Sequence, residues 1–458
     1  MLRWFKNRKA RKAEAVHKEP KIIPRAEHGI SRNDIDDNAL KVLYRLNKAG
    51  YQAHLVGGAV RDLLLGRHPK DFDVATDATP EEVNKLFRNC RLIGRRFRLA
   101  HVHFGRQIIE VATFRASHGD DKHQDDAGRI LRDNVYGTLY DDVWRRDFTV
   151  NALYYNIADF SIIDYVDGVD DIHKKHLRLI GDQETRYRED PVRMLRAIRF
   201  AAKLDFSIDD SCRRAFLEFG PLLLDIPSSR MFDESLKLFQ SGHAQESFDA
   251  LRTYGLLQFL FPDLAVCLHD DPQVETFVRL AMQSTDERIS RDMPVTPAFL
   301  FAALLWPPVH RQIQLNLDDG MPQAIAMQKA ANKLITTQCR RVSIPKRFSL
   351  VMRDIWALQP RFSYRTGRRA EAVSQHPKFR AGYDFLCLRA KAGENVGDDC
   401  AWWTEFQQVP EAQQSQAFSG KEKSKPRRRR RRKPRNAKSA ADGGEPVDAR
   451  AETRKDSL

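Results

Sequence analysis

Strand-forming runs crowd into the part of the chain before about Asp182 and nearly vanish after it, where apolar residues recur at helical spacing instead. A chain that separates strands from helices in this way folds as α+β, with one sheet early and helices following it. Its 458 residues suffice for several folding units with substantial cores.

Local signals place the elements. Leu40, Leu43 and Leu46 before Gly50 predict a helix within 34–49, and "YQAHLV" a strand. "GGAVRDLLLG" reads as a turn feeding a helix, and "DFDVAT" as a second strand. Thr79-Pro80-Glu81-Glu82 carries an N-cap threonine, a first-turn proline and a capping-box glutamate. "RLAHVHF" and "QIIEVATF" form two strands joined across Gly105-Arg106, and His118 to Asp142 reads as a mobile loop. "AFLFAALLW", after Thr296-Pro297, is expected as a buried helix, and the chain beyond about Gln413 as a disordered tail.

The net charge of +15 is localised. Lys421 to Arg435 holds eleven basic residues and one acid, residues 1–12 hold six basic residues and no acid, and the rest is close to neutral. This pattern suits basic arms that hold a polyanion while a folded body does other work. The six cysteines (Cys90, Cys212, Cys267, Cys339, Cys387, Cys400) contain no CxxC pair, so neither a structural zinc site nor a disulfide framework is expected, and a reducing cytoplasm fits. The longest apolar run, Ala298 to Trp306, is too short to span a membrane. The basic segment "MLRWFKNRKARK" lacks a signal-peptide core and would give at most weak association with an anionic surface.

On a strand, residues two apart share a face, so Asp71 and Asp73 present both carboxylates together while Phe72 and Val74 pack the other way. Such a pair suits Mg²⁺, which binds through one or two carboxylates and completes its shell with water and phosphate. Gly57-Gly58 before a helix offers bare N–H groups to a phosphate, with Arg61 in the first turn. Neither GxGxxG nor a P-loop is present, which excludes those nucleotide folds. His101 and His103 read as packed or hydrogen-bonded side chains, and His269-Asp270 as a loop pair.

"LVGGAVRDLLLGRHPKDFDVAT", "EVATFR", "RRDFTVNALYYN" and "REDPVRMLRAIRFAAKLDF" resemble the successive motifs of the class II nucleotidyltransferases, which include bacterial poly(A) polymerases and CCA-adding tRNA enzymes. The resemblance covers roughly Leu40 to Phe206 and implies a small polymerase-beta-like head with a mixed sheet, followed by an all-α neck and body. It implies two Mg²⁺ ions held by Asp71 and Asp73, with ATP as substrate and Glu110 or Asp147 completing the site. Gly57, Gly58 and Arg61 would hold the triphosphate, Asp147 with Arg146 would alternatively contact the ribose, and Asp190 and Arg193 would read the base without a template. Arg95, Arg96 and Arg98 add positive charge near the site. With Arg196 and the run containing Arg427, Arg428, Arg429 and Arg430, they are candidate RNA contacts.

"LIGRRFRLAHVHFG" resembles the poly(A) polymerase branch, and a basic tail suits capture of arbitrary RNA 3′ ends. The expected activity is template-independent transfer of AMP to RNA. CCA addition and a non-catalytic RNA-binding regulator are the alternatives. The expected organisation is a leader (1–33), head (34–175), neck (176–240), body (241–411) and tail (412–458). Expected partners are RNA 3′ ends, with RNA-decay or RNA-chaperone proteins.

Overall fold

The computed structural model describes residues 19–94, 98–116 and 135–410. The head is a mixed sheet of eight strands: β1 (Lys21–Ile23), β2 (Ala53–Val56), β3 (Asp73–Thr76), β4 (Cys90–Ile93), β5 (Leu99–Phe104), β6 (Gln107–Thr113), β7 (Leu153–Asn156) and β8 (Ile162–Asp164). They lie in the order β1-β8-β7-β2-β3-β6-β5-β4. β3 runs parallel to β6, with Val74 opposite Val111, and antiparallel to β2, with Asp73 opposite Val56.

Side-chain alternation gives the sheet two faces. Leu55, Phe72, Val74, Ile109 and Val111 join the main core, together with Val42, Leu43 and Leu46 of the helix Asp37–Lys48 and Val83 of Pro80–Leu86. Both helices start on side-chain caps, Asp36 in the first and a full Thr79–Glu82 capping box in the second. The opposite face carries a smaller cluster, including Val56, Ala75, Phe114 and Tyr154. Beyond the sheet, helices follow in series from Gln183–Glu189 to Gly397–Gln408. One buried apolar cluster is continuous from Ile23 in the head to Ala392 in the body.

Four sequence expectations are corrected here. Residues 21–23, assigned to a basic leader, form β1 against β8 and bury Ile23, because a short edge strand gives little periodic signal. The stretch expected as a loop up to Asp142 ends in a helix, Leu139–Arg145, started by a Thr138–Asp141 capping box. Cys387 and Cys400 form a disulfide between the last two helices, beside a satellite core of Phe362, Leu386 and Trp403. Their separation of 13 carries no motif, and helical packing brings them together. His269 and Asp270 end the helix Pro262–Asp270 instead of lying in a loop. Among the described residues no helix is long and apolar enough to cross a membrane.

Candidate active site

The open face of the sheet carries a row of titratable groups. The parallel register continues from Val74 and Val111 to set Asp73 beside Glu110, and Glu110 lies opposite His101 on β5. His101 Nε2 is 3.5 Å from Glu110 Oε1. The Asp73 carboxyl is pushed up to about 6, first by loss of water around it and then by the charges of Glu110 and Asp71, against a pull from Arg146. Carboxylates that disfavour one another's ionisation suit a cation between them. Their hard oxygens fit Mg²⁺, although no ready-made cluster of three His, Cys, Asp or Glu ligands occurs among the described residues.

β2 ends in the glycine turn. Gly57 sits at φ +70°, and a β-carbon there would lie 3.3 Å from Arg146 Nη1 and 3.6 Å from the Asn151 carbonyl oxygen. The turn is therefore pressed onto the "RRDFTVN" segment, which only glycine permits at this φ. Arg61 lies beneath it and is 3 % exposed. Its guanidinium donates to Asp62 Oδ1 at 2.8 and 2.7 Å and to Asn151 Oδ1. Its charge thus supports the turn from below.

A cleft of about 310 Å³ opens between the end of β6 and the helix Val192–Leu204, lined by Ala112, Arg146, Asp147, Asp190, Arg193 and Arg196 among others. Arg146 is anchored by Asp142 Oδ2 at 3.0 Å and by the Tyr154 hydroxyl at 2.7 Å. Burial would raise the Asp142 carboxyl, but Arg146 and Tyr154 outweigh it and hold it low. Asp147 accepts from Arg196 Nε at 2.7 Å, the Phe148 N–H at 2.9 Å and Asn151 Nδ2 at 3.3 Å. Against the cost of burial, these partners keep it ionised.

The neck supplies the other wall. Glu189 Oε2 accepts from Arg186 Nη1 at 2.7 Å and Arg193 Nη1 at 2.9 Å. Arg186 also donates to the carbonyl oxygens of Arg145 and Arg146, joining neck to head. Burial, with help from Arg193, pushes Arg186 down to about 10. Asp190 is held by Arg230 Nη2 at 2.7 Å from the helix Ser228–Phe239.

Three family models match the chain: "Poly A polymerase head domain" over residues 53–178, "Probable RNA and SrmB- binding site of polymerase A" over 205–268, and "Polymerase A arginine-rich C-terminus" over 319–437. Poly(A) polymerase I of Salmonella typhimurium is 52% identical over 397 residues, covering 84% of this chain and 85% of that one. This chain belongs to the poly(A) polymerase I family. A CCA-adding enzyme of Lactobacillus gasseri is 38% identical over only 218 residues, 48% of this chain and 54% of its own. The crystal structure of the Bacillus stearothermophilus CCA-adding enzyme in complex with CTP superposes with a TM-score of 0.51 at 26% identity, over 81% of this chain and 82% of that one.

In this poly(A) polymerase family member, the residues expected from sequence divide into groups. Asp71 and Asp73 reach the surface, although neighbouring groups crowd water away from the Asp73 carboxyl, and Glu110 adjoins Asp73, whereas Asp147 is committed to Arg196. Arg146, Asp190, Arg193 and Arg196 meet at one cleft. Gly57 and Gly58 form the turn, and Arg61 is buried under it. Arg98 lies 2.8 Å from Glu81. Arg95, Arg96 and the run Arg427, Arg428, Arg429 and Arg430 lie outside the described residues. Sequence reasoning missed Asp142, Asn151, Tyr154, Arg186, Glu189 and Arg230. A faint signal existed for two of them: Asp142 and Glu189 each precede a site arginine by four positions, as helical ion pairs do.

Proposed function

We propose that this chain is a template-independent polynucleotide adenylyltransferase that transfers AMP from ATP to RNA 3′ ends. The RNA 3′-oxygen bonds to the α-phosphorus, the bond from that phosphorus to the bridging oxygen breaks, and pyrophosphate leaves. The observation that carries this reading is the single cleft in which Asp190 and Arg193 stand beside Arg146, close to the Asp73–Glu110 row.

Asp71, Asp73 and Glu110 would hold Mg²⁺. When bound, Mg²⁺ neutralises phosphate charge and makes the RNA 3′-hydroxyl easier to deprotonate. Gly58 leaves its backbone open to the triphosphate, and Arg61 keeps the turn in shape through Asn151. Arg146 lends positive charge, rigidly placed by Asp142 and Tyr154. Asp147 positions Arg196 instead of serving as the third ligand. Asp190 accepts from, and Arg193 donates to, the base edge, and their anchors Arg230 and Glu189 preorganise both. A cytoplasmic setting, and protein partners from RNA decay, belong to the same proposal.

The test is primer extension on an unstructured RNA with Mg²⁺ and each nucleoside triphosphate offered singly. Long ladders with ATP alone, absent in an Asp71→Ala, Asp73→Ala variant, are expected. Short additions requiring CTP and a tRNA acceptor would move the chain to CCA addition, and no extension would refute catalysis.

A further inference from the structure

A second cavity of about 310 Å³ lies in the helical body, used by none of the chemistry above. It is bounded by the helices Pro262–Asp270, Pro272–Ser290 and Pro297–Asp318 and by the turn after Phe379–Lys391. Aromatic groups form part of its wall. Trp306 and His310 stack with centroids 5.2 Å apart and planes 21° apart, and Phe277 joins them. Burial lowers the proton affinity of His310, which keeps its ring neutral.

Three carboxylates line the wall: two are paired with arginines, and the third, Asp271, accepts the Gln273 backbone N–H at 2.8 Å as a helix cap. Glu394 accepts the Trp306 indole N–H at 3.0 Å and is clasped by Arg389 at 2.9 and 2.7 Å. Asp270 Oδ2 accepts from Arg311 Nη1 at 2.7 Å, so a carboxylate and a guanidinium stand side by side at the cavity. The wall therefore keeps one carboxylate in excess, which disfavours a phosphate group there, while the paired Asp270 and Arg311 present an acceptor and a donor side by side. The cavity suits a flat, neutral heteroaromatic ring that carries a donor and an acceptor on one edge.

We propose that this body cavity binds an adenine base, stacked against His310, with its amino group donating to Asp270 and a ring nitrogen accepting from Arg311. The choice of adenine rests on the proposed reaction, which supplies that base both as free nucleotide and as product chain. A bound base here would give the enzyme a second hold on adenine, away from the cleft where bonds change.

The experiment uses the full-length chain, photolysed with 8-azidoadenosine or with oligo(A) RNA carrying one 8-azidoadenosine, and peptides mapped by mass spectrometry. Adducts are expected on the 262–277 and 306–311 peptides, separate from those on cleft peptides. Protection by adenosine identifies the free nucleoside as the source, and protection by oligo(A) alone identifies RNA. His310→Ala and Arg311→Ala should each lower the body adducts by about fivefold or more while leaving ATP extension and cleft adducts intact. Arg311 is 54% exposed, so its truncation leaves the fold sound. The proposal is overturned if cleft peptides label without body peptides, if neither variant changes the body adducts, or if spermidine protects better than adenosine. Absence of ATP extension would refute the proposed reaction and leave the body adducts as an independent result.

Discussion

His54 sits on β2 at 3 % exposure, with the rings of Phe114 and Tyr154 at 5.9 and 6.1 Å. Neither ring nitrogen has a hydrogen-bond partner among the described residues. Burial lowers its pKa from 6.5 to about 4, against a weak opposite pull from Asp159. The unfolded chain therefore takes up a proton at His54 before the folded chain does. Stability from this group is complete above about pH 6.5 and is lost as pH falls towards about 4. A gap of about 2.5 units corresponds to about 3 kcal/mol across that window. His54→Phe should remove this pH-dependent part and, by deleting two unsatisfied nitrogens, gain about 1 kcal/mol at neutral pH. Urea unfolding followed by tryptophan fluorescence, stepped from about pH 7.5 to about pH 4.5, measures both chains. Carboxylate titration is common to the two and cancels in their difference. If wild type and His54→Phe lose stability in parallel, the buried neutral imidazole is not the cause and the reasoning fails. Tyr154 also anchors Arg146, so wild-type ATP binding should weaken over the same pH window.

Asp73→Asn should raise thermal stability slightly, by removing a charge that Glu110 and Asp71 oppose, and should cut single-turnover extension by roughly a thousandfold. Intact extension would exclude it from the metal site. Arg196→Ala strands the Asp147 carboxylate, whose side chain is 11% exposed. Because Arg196 itself is 33% exposed, the expected cost is about 2 kcal/mol, less than for a fully buried pair. Adding Asp147→Asn should recover part of it, and strict additivity of the two losses would argue against the pairing. Gly168→Ala would drive a β-carbon to 2.3 Å from the Thr149 carbonyl oxygen, which backbone cannot easily yield. A loss of roughly 3 kcal/mol in urea unfolding is expected, and a shift under about 0.5 kcal/mol would show that the contact relaxes.

The parts of the molecule that were legible in sequence are those written in adjacent residues. Thr79 and Glu82 cap a helix from three positions apart, and the β5–β6 hairpin turns at Gly105-Arg106. Asp71 and Asp73 announce their shared face by their spacing. What the sequence hid depends on distant partners. Asp147 looks like a free carboxylate until Arg196, 49 residues later, closes on it. Arg61 looks available to phosphate until Asn151, 90 residues later, meets it underneath the turn. The strands β7 and β8 lie in a stretch whose motif value overshadowed its strand pattern, and β1 has no periodicity long enough to read.

The cross-chain origin of the cleft also bears on how the protein comes into being. Asp73 and Glu110 are neighbours through a parallel pairing that forms only after two intervening strands have been laid down. Arg193 and Arg196 belong to a later helix, and Asp190 finds Arg230 40 residues further on. Contacts of such separation form slowly because long loops must close first. A nascent chain emerging from the ribosome thus exposes its carboxylates well before the residues proposed to read the base are in place. Catalysis should switch on late in synthesis and as a single event, and fragments ending before Arg230 should give no gradual recovery of activity.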